Sequence, residues 1–225
     1  MVMHLSKQDH AAVTAAVAAA ERGTDGEIVT VVAGRSDSYH DVALHWAVLA
    51  MLLVLALLSV WPGMAAALYE RVFDPWTQVV HPTVLLLIAL LLQTLAFLVV
   101  RLLLAIPKLR IAMTPGATKT RRVRRRAVGL FRTAAEKRTR ARTGVLLYLS
   151  LAEHRAELIA DEAIHAKVAP EVWGEAMAAL VASVREGRVG EGMARAVEQV
   201  GVVLAEHFPR SADDINELPD RLIEL

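Results

Sequence analysis

Two stretches of the chain carry almost nothing but apolar side chains. Val42 to Trp61 is twenty residues with no charge apart from the titratable His45. Val84 to Val100 is a second run, stopped by Arg101 and continued by Leu102–Ile106 up to Pro107. A helix rises about 1.5 Å per residue, so twenty residues span about 30 Å, the thickness of a bilayer core. The pattern predicts a two-helix transmembrane hairpin. Trp46 and Trp61 lie near the two ends of the first run, and Tyr69, Phe73 and Trp76 crowd the connection, where amphipathic rings favour a membrane–water interface. Gln93 and Thr94 fall mid-span in the second run, where they are expected to hydrogen-bond between helices.

Outside the hairpin the periodicity changes to that of a folded unit. Ser6 can cap a helix with Asp9 as its partner, and Ala12, Val13, Ala16, Val17 and Ala20 then recur at helical spacing up to Gly23. Glu27 to Ala33 is rich in β-branched residues and bounded by glycines, which predicts a buried strand. After Pro115-Gly116, residues Lys119 to Arg140 predict a helix with Val123, Ala127, Leu130 or Phe131, and Ala134 as a narrow apolar stripe. Val145–Leu151 predicts a second strand, Glu153-His154-Arg155 a tight turn, and Ala156–Asp161 a third strand. Pro170 opens a helix with Val172, Trp173, Ala176, Leu180, Val181 and Val184 on one face. A last helix carries Met193, Val197, Val200 and Leu204, and the tail from Phe208 reads as a packed extension. The fold class expected is α/β, a small mixed sheet flanked by helices, with the hairpin inserted after the first strand. Residues 1–41 and 107–225 form one domain in this reading, and 42–106 the hairpin, with the first two strands parallel.

Charge adds an orientation. The chain has 225 residues, 55% of them hydrophobic, and a formal net charge of only +1, but the charges are segregated. Fourteen of the 25 Lys+Arg lie between Arg101 and Arg142, against one acid, Glu136, whereas residues 143–225 hold 15 acids and 7 bases. The connection from Pro62 to Pro82 holds one base, Arg71. The positive-inside rule then places that connection outside and both termini in the cytoplasm. No signal-peptide core precedes the first strand. Arg121, Arg122, Arg124, Arg125 and Arg126 follow the membrane exit closely and are expected to meet lipid headgroups, at about 1 kcal/mol each near an anionic surface. Nucleic acid is disfavoured as a partner, because Phe131 is the only aromatic within the basic helix.

Chemistry-bearing motifs are few. The absence of Cys excludes disulfides, thiolate metal sites and cysteine nucleophiles. None of the eight His has metal-ligand spacing, and Gly23 and Gly26 precede a strand rather than follow one, the wrong order for a phosphate cradle. Neither a metal nor a cofactor is expected. The catalytic candidates are Glu153, His154 and Arg155 in the tight turn, and Asp161 at the end of the third strand.

Three segments resemble a known family. Gly26–Val32, Thr143–Asp161 and Asn216–Asp220 together resemble bacterial TPM-domain membrane proteins, of the short subgroup with a transmembrane hairpin inside the domain. The resemblance implies a TPM-like α/β domain. Plastid members of the family are associated with acid phosphatase activity and calcium binding, and carry an acidic loop before the second strand. Here Thr143-Gly144 stands at that position, preceded by Arg140 and Arg142. The expectation is a cytoplasmic, non-catalytic interaction or scaffold module at the bacterial inner membrane, with the bilayer and a protein partner or a second copy as its contacts. A membrane-anchored phosphatase-like hydrolase is the alternative, on resemblance alone.

Overall fold

The computed structural model describes residues 5–72, 80–134, 143–211 and 217–225. Phe73, Trp76, Glu136, Arg140, Arg142 and Asn216, all named above, lie outside the described residues, as does Asp74. In chain order the elements are α1 (Lys7–Glu21), β1 (Glu27–Ala33), α2 (His40–Val60), α3 (Gly63–Val72), α4 (Pro82–Leu103), α5 (Pro107–Ala112), α6 (Gly116–Ala134), β2 (Gly144–Ser150), β3 (Arg155–Ala160), α7 (Glu162–His165), a 3-10 turn (Pro170–Trp173), α8 (Gly174–Arg185), α9 (Val189–His207) and β4 (Ile223–Glu224). They pack as two units, Met1–Asp37 with Gly116–Leu225, and Ser38–Pro115.

The first unit is an α/β layer structure around a mixed sheet of order β3-β2-β1-β4. β1 and β2 are parallel, with Glu27 opposite Gly144 and Ala33 opposite Ser150, and β2 and β3 form an antiparallel hairpin. Every residue of β1 and β2 is buried, which is why both read as unbroken apolar runs and not as alternating ones. The alternation is present in space. Ile28, Val32, Val145, Leu147 and Leu149 face the core closed by α1, α8 and α9. Val29, Val31, Leu146 and Tyr148 face the opposite core, closed by Val123, Ala127 and Phe131 of α6. The Ser6–Asp9 capping box forms at the start of α1.

Three features of this unit depart from the sequence pattern. The tail supplies a fourth strand: Ile223 and Glu224 pair in parallel with Val31 and Val32. Residues 170–173 form a 3-10 turn before α8 begins at Gly174, and the change of pitch leaves Val172 49% exposed instead of on the buried face. The four-residue α7 follows β3 directly, and β3 itself starts one residue earlier, at Arg155.

The second unit contains two helices long and apolar enough to cross a membrane, His40–Val60 and Pro82–Leu103. They pack along each other. Neither is covered as a core helix would be: α2 buries only Val42, Ala43 and Ala47, α4 buries no residue, and Leu86, Leu91 and Leu102 are among its most exposed side chains. The connection that follows α2 is not irregular throughout, since α3 occupies its first half. Thr94 donates its hydroxyl to Leu90 O of its own helix over 2.9 Å rather than across the pair. At one end of the unit the Trp46 indole donates to Met113 O over 3.1 Å, and the buried Arg110 guanidinium donates to Leu104 O over 3.3 Å.

Candidate functional site

The carboxyl ends of β1 and β2 are where chemistry concentrates. Ligands of open sheets with parallel strands bind beyond those ends. On the α6 face, Tyr148 and Ser150 are two residues apart in β2 and so point the same way. Both are fully buried, and each places a hydroxyl in a core that water does not reach. A buried polar group without a partner costs about 1–3 kcal/mol, so these hydroxyls must be satisfied locally. They are. Ser36, just past β1, donates its hydroxyl to Ser150 Oγ over 2.9 Å, and Ser150 donates in turn to Glu153 Oε2. The other oxygen of Glu153 accepts the Ser36 N–H over 3.0 Å. The Tyr148 phenol lies 2.9 Å from Ser36 Oγ, whose own proton is spent on Ser150, so the phenol is the donor of that pair. Burial pushes the Tyr148 phenol above its ordinary value, against the opposing pulls of the Ser36 hydrogen bond and of Arg126, and it stays a neutral donor. The result is a directed chain from Tyr148 through Ser36 and Ser150 to Glu153.

Over this network lies a cavity of about 410 Å³, lined by Ser36, Asp37, Arg122, Arg125, Arg126, Gly129, Leu130 and Thr133. Positions 122, 125, 126, 129 and 133 share one face of α6, beside the stripe of Val123, Ala127 and Phe131 that docks the helix on the sheet. Arg122 Nη1 is 2.9 Å from Asp37 Oδ2, an ion pair across 85 positions of sequence. Arg125 and Arg126 are exposed and make no hydrogen bond or ion pair with any described residue. Thr133 turns its hydroxyl back to Leu130 O over 2.9 Å, so the donors presented to the cavity are guanidinium groups.

The five arginines of the basic helix therefore have separate surroundings. Arg122, Arg125 and Arg126 line the cavity. Arg124 reaches across to Glu157 of β3, 3.7 Å away, and Arg121 is exposed with no polar partner among the described residues. Burial raises the Glu157 carboxyl above its ordinary value, opposed by Arg124 and Arg155.

The four acid–base candidates are not brought together. Glu153 belongs to the buried network. His154 forms the exposed corner of the turn with a φ of 48°, in the left-handed region. Arg155 opens β3 and donates to Gly116 O over 3.3 Å. Asp161 is at the other end of the strands, where its Oδ2 accepts the Gly144 N–H over 3.0 Å and fastens β2 to β3. The length of β2, about 20 Å at roughly 3.3 Å per residue, separates it from Glu153. At that far end Glu27 is also structural: its carboxylate accepts the Glu217 and Leu218 amides, each over 3.2 Å. Among the described residues no three His, Asp or Glu side chains gather closely enough to hold a metal ion.

Ser36, Asp37, Tyr148 and Ser150 were not singled out from the sequence. Their signal was a polar pair at alternate positions in an otherwise aliphatic strand, and a Ser-Asp-Ser stretch separated from β1 only by Gly34 and Arg35.

No family model matches the sequence, and no curated protein matches it. Among solved structures the chain is similar to the NMR structure of the BA42 protein from the psychrophilic bacterium Bizionia argentinensis, with 17% identity and a TM-score of 0.56. The alignment covers 99% of this chain and 97% of that one. At that identity the likeness concerns the fold, a small α/β architecture.

Proposed function

We propose that this chain is an integral membrane protein of the bacterial inner membrane, with a cytoplasmic TPM-like α/β unit that binds a partner without turning it over. Two apolar helices and the segregation of Lys and Arg support the membrane part. The observation that carries the binding part is the cavity on α6: three guanidinium groups line it against one carboxylate, Asp37, which Arg122 engages, while the hydroxyls and the Glu153 carboxylate beneath are engaged in holding the exit of β1. A protein partner or a second copy and the lipid surface remain its proposed contacts, with the five arginines Arg121, Arg122, Arg124, Arg125 and Arg126 facing lipid headgroups.

One observation favours a phosphatase-like hydrolase instead. Ser36 borders the cavity, and its hydroxyl is linked through Ser150 to a buried carboxylate, as a nucleophile relayed to a base would be. Against it, Ser150 is fully buried and Ser36 is already fixed by three hydrogen bonds, including its own N–H.

Two measurements test the reading. A periplasm-active reporter fused at Asp74 should be active, and one fused after Leu225 inactive; the reverse pattern overturns the orientation. The purified chain should release no phosphate from an aryl phosphate above the level of its Ser36→Ala variant. Release that Ser36→Ala abolishes would install the hydrolase reading in its place.

A further inference from the structure

The cavity on α6 has a charge that selects a ligand. Three guanidinium groups and one carboxylate line it, 3 − 1, leaving two positive charges. We propose that it is a binding site for a phosphate monoester dianion, carried either by a soluble metabolite or by a monoester lipid headgroup. The proposal rests on the binding reading above and names the ligand class of that site.

Several observations lead to this class. A phosphate monoester carries about two negative charges at neutral pH, which matches the surplus, whereas a diester carries one. Guanidinium forks fit the oxygens of a phosphate, and charge-assisted pairs of this kind are the stronger hydrogen bonds. Arg125 and Arg126 have no intramolecular bond to give up among the described residues. Arg122 is held in place by Asp37, whose neighbour Ser36 is tied down through both its N–H and its hydroxyl. A site ordered before binding loses less entropy when the ligand arrives. The volume of about 410 Å³ falls within the range of small-molecule sites, about 300–1,000 Å³. Leu130 adds an apolar wall that a bare ion would not use.

Gly129 supplies the means to separate a cavity from a merely basic surface. It lies in the cavity wall, and a Cβ built there would meet nothing within 4 Å. A larger side chain at this position occupies the cavity, leaves every charge in place and favours the helix.

The test uses the full chain purified in an uncharged detergent, titrated calorimetrically with glycerol 3-phosphate, with dimethyl phosphate, and with short-chain phosphatidate. Glycerol 3-phosphate should bind at least tenfold more tightly than the diester. The Arg125→Gln/Arg126→Gln pair should weaken it on the order of a hundredfold, as expected for two charge-assisted bonds. Gly129→Leu should weaken it at least tenfold, and Arg185→Gln, an exposed cation of α8 outside the cavity lining, should leave it within about twofold of the parent. Phosphatidate binding at least tenfold more tightly than glycerol 3-phosphate assigns the site to a lipid headgroup; equal or weaker binding assigns it to a soluble ester. Equal affinity for monoester and diester, or full affinity in Gly129→Leu, overturns the proposal. No binding by the folded chain overturns the site and leaves the non-catalytic reading in place. Phosphate release from glycerol 3-phosphate would overturn that reading and leave the site standing.

Discussion

Glu153 accepts two donors, the half-buried Ser36 N–H and the fully buried Ser150 hydroxyl. Glu153→Ala orphans both, and with about 1–3 kcal/mol for each buried unsatisfied group it should destabilise the α/β unit by about 2–4 kcal/mol. Tyr148→Phe removes one donor and leaves only an acceptor on Ser36, so its loss should be nearer 1 kcal/mol. Denaturant unfolding followed by far-ultraviolet circular dichroism measures both; equal losses would contradict the directed chain of donors. Glu157 makes a different prediction. Its carboxyl is raised from 4.5, so the folded state holds that proton more firmly than the unfolded chain. Its contribution is therefore largest at acid pH and falls as pH rises from near 4.5 through the raised value. Glu157→Gln does not titrate, so the stability of the parent relative to this variant should decline over that interval, as unfolding midpoints at several pH values would show. Little of this was visible in the sequence. Glu153 and Asp161 were both candidates, yet their partners are set by strand register and by a turn, and spacing does not reveal which backbone amide a carboxylate will meet.

Among the helices, two glycines with the same propensity defect should respond oppositely to the same change. In α9, a Cβ at Gly201 would sit 2.5 Å from Ala20 Cβ and 3.2 Å from Ala20 Cα, so α1 and α9 lie close against each other because this position is bare. Gly201→Ala should destabilise: overpacking costs about 1–3 kcal/mol and outweighs the gain of about 1 kcal/mol in helix propensity. Gly129→Ala in α6 meets nothing and should stabilise by up to about 1 kcal/mol. Thermal melts of the two variants against the parent decide it, and a stabilised Gly201→Ala would refute the close approach. The sequence pattern located α1, α9 and the α6 stripe well, because amphipathic periodicity is a local property. It placed Val172 wrongly, because a 3-10 turn rotates each residue by more than an α-helix does and moves the side chain off the expected face.

On the scale of the whole molecule, the α/β unit is assembled from two pieces of chain on either side of residues 38–115. Asp37 pairs with Arg122, Ser36 bonds Glu153, and Gly116 accepts from Arg155 in the same β2–β3 corner, so the two cut ends lie at one end of the sheet. Replacing residues 38–115 by about eight Gly/Ser residues, which span about 15 Å as a flexible chain, should give a folded unit that unfolds in one cooperative transition. An excised chain lacking that transition would show that the unit depends on the apolar helices for its stability. The sequence by itself determined the two apolar helices, the parallel pairing of β1 with β2 and the β2–β3 hairpin, because charge-free length, β-branched runs and a tight turn are read along the chain. Only the tertiary structure decided the fourth strand, whose two residues join β1 from the far C-terminus, and the cavity, whose Ser36–Asp37 wall meets α6 across 85 positions. Both arise from contacts between segments remote in sequence, and no local pattern of side chains specifies which remote segment the folded core will bring alongside.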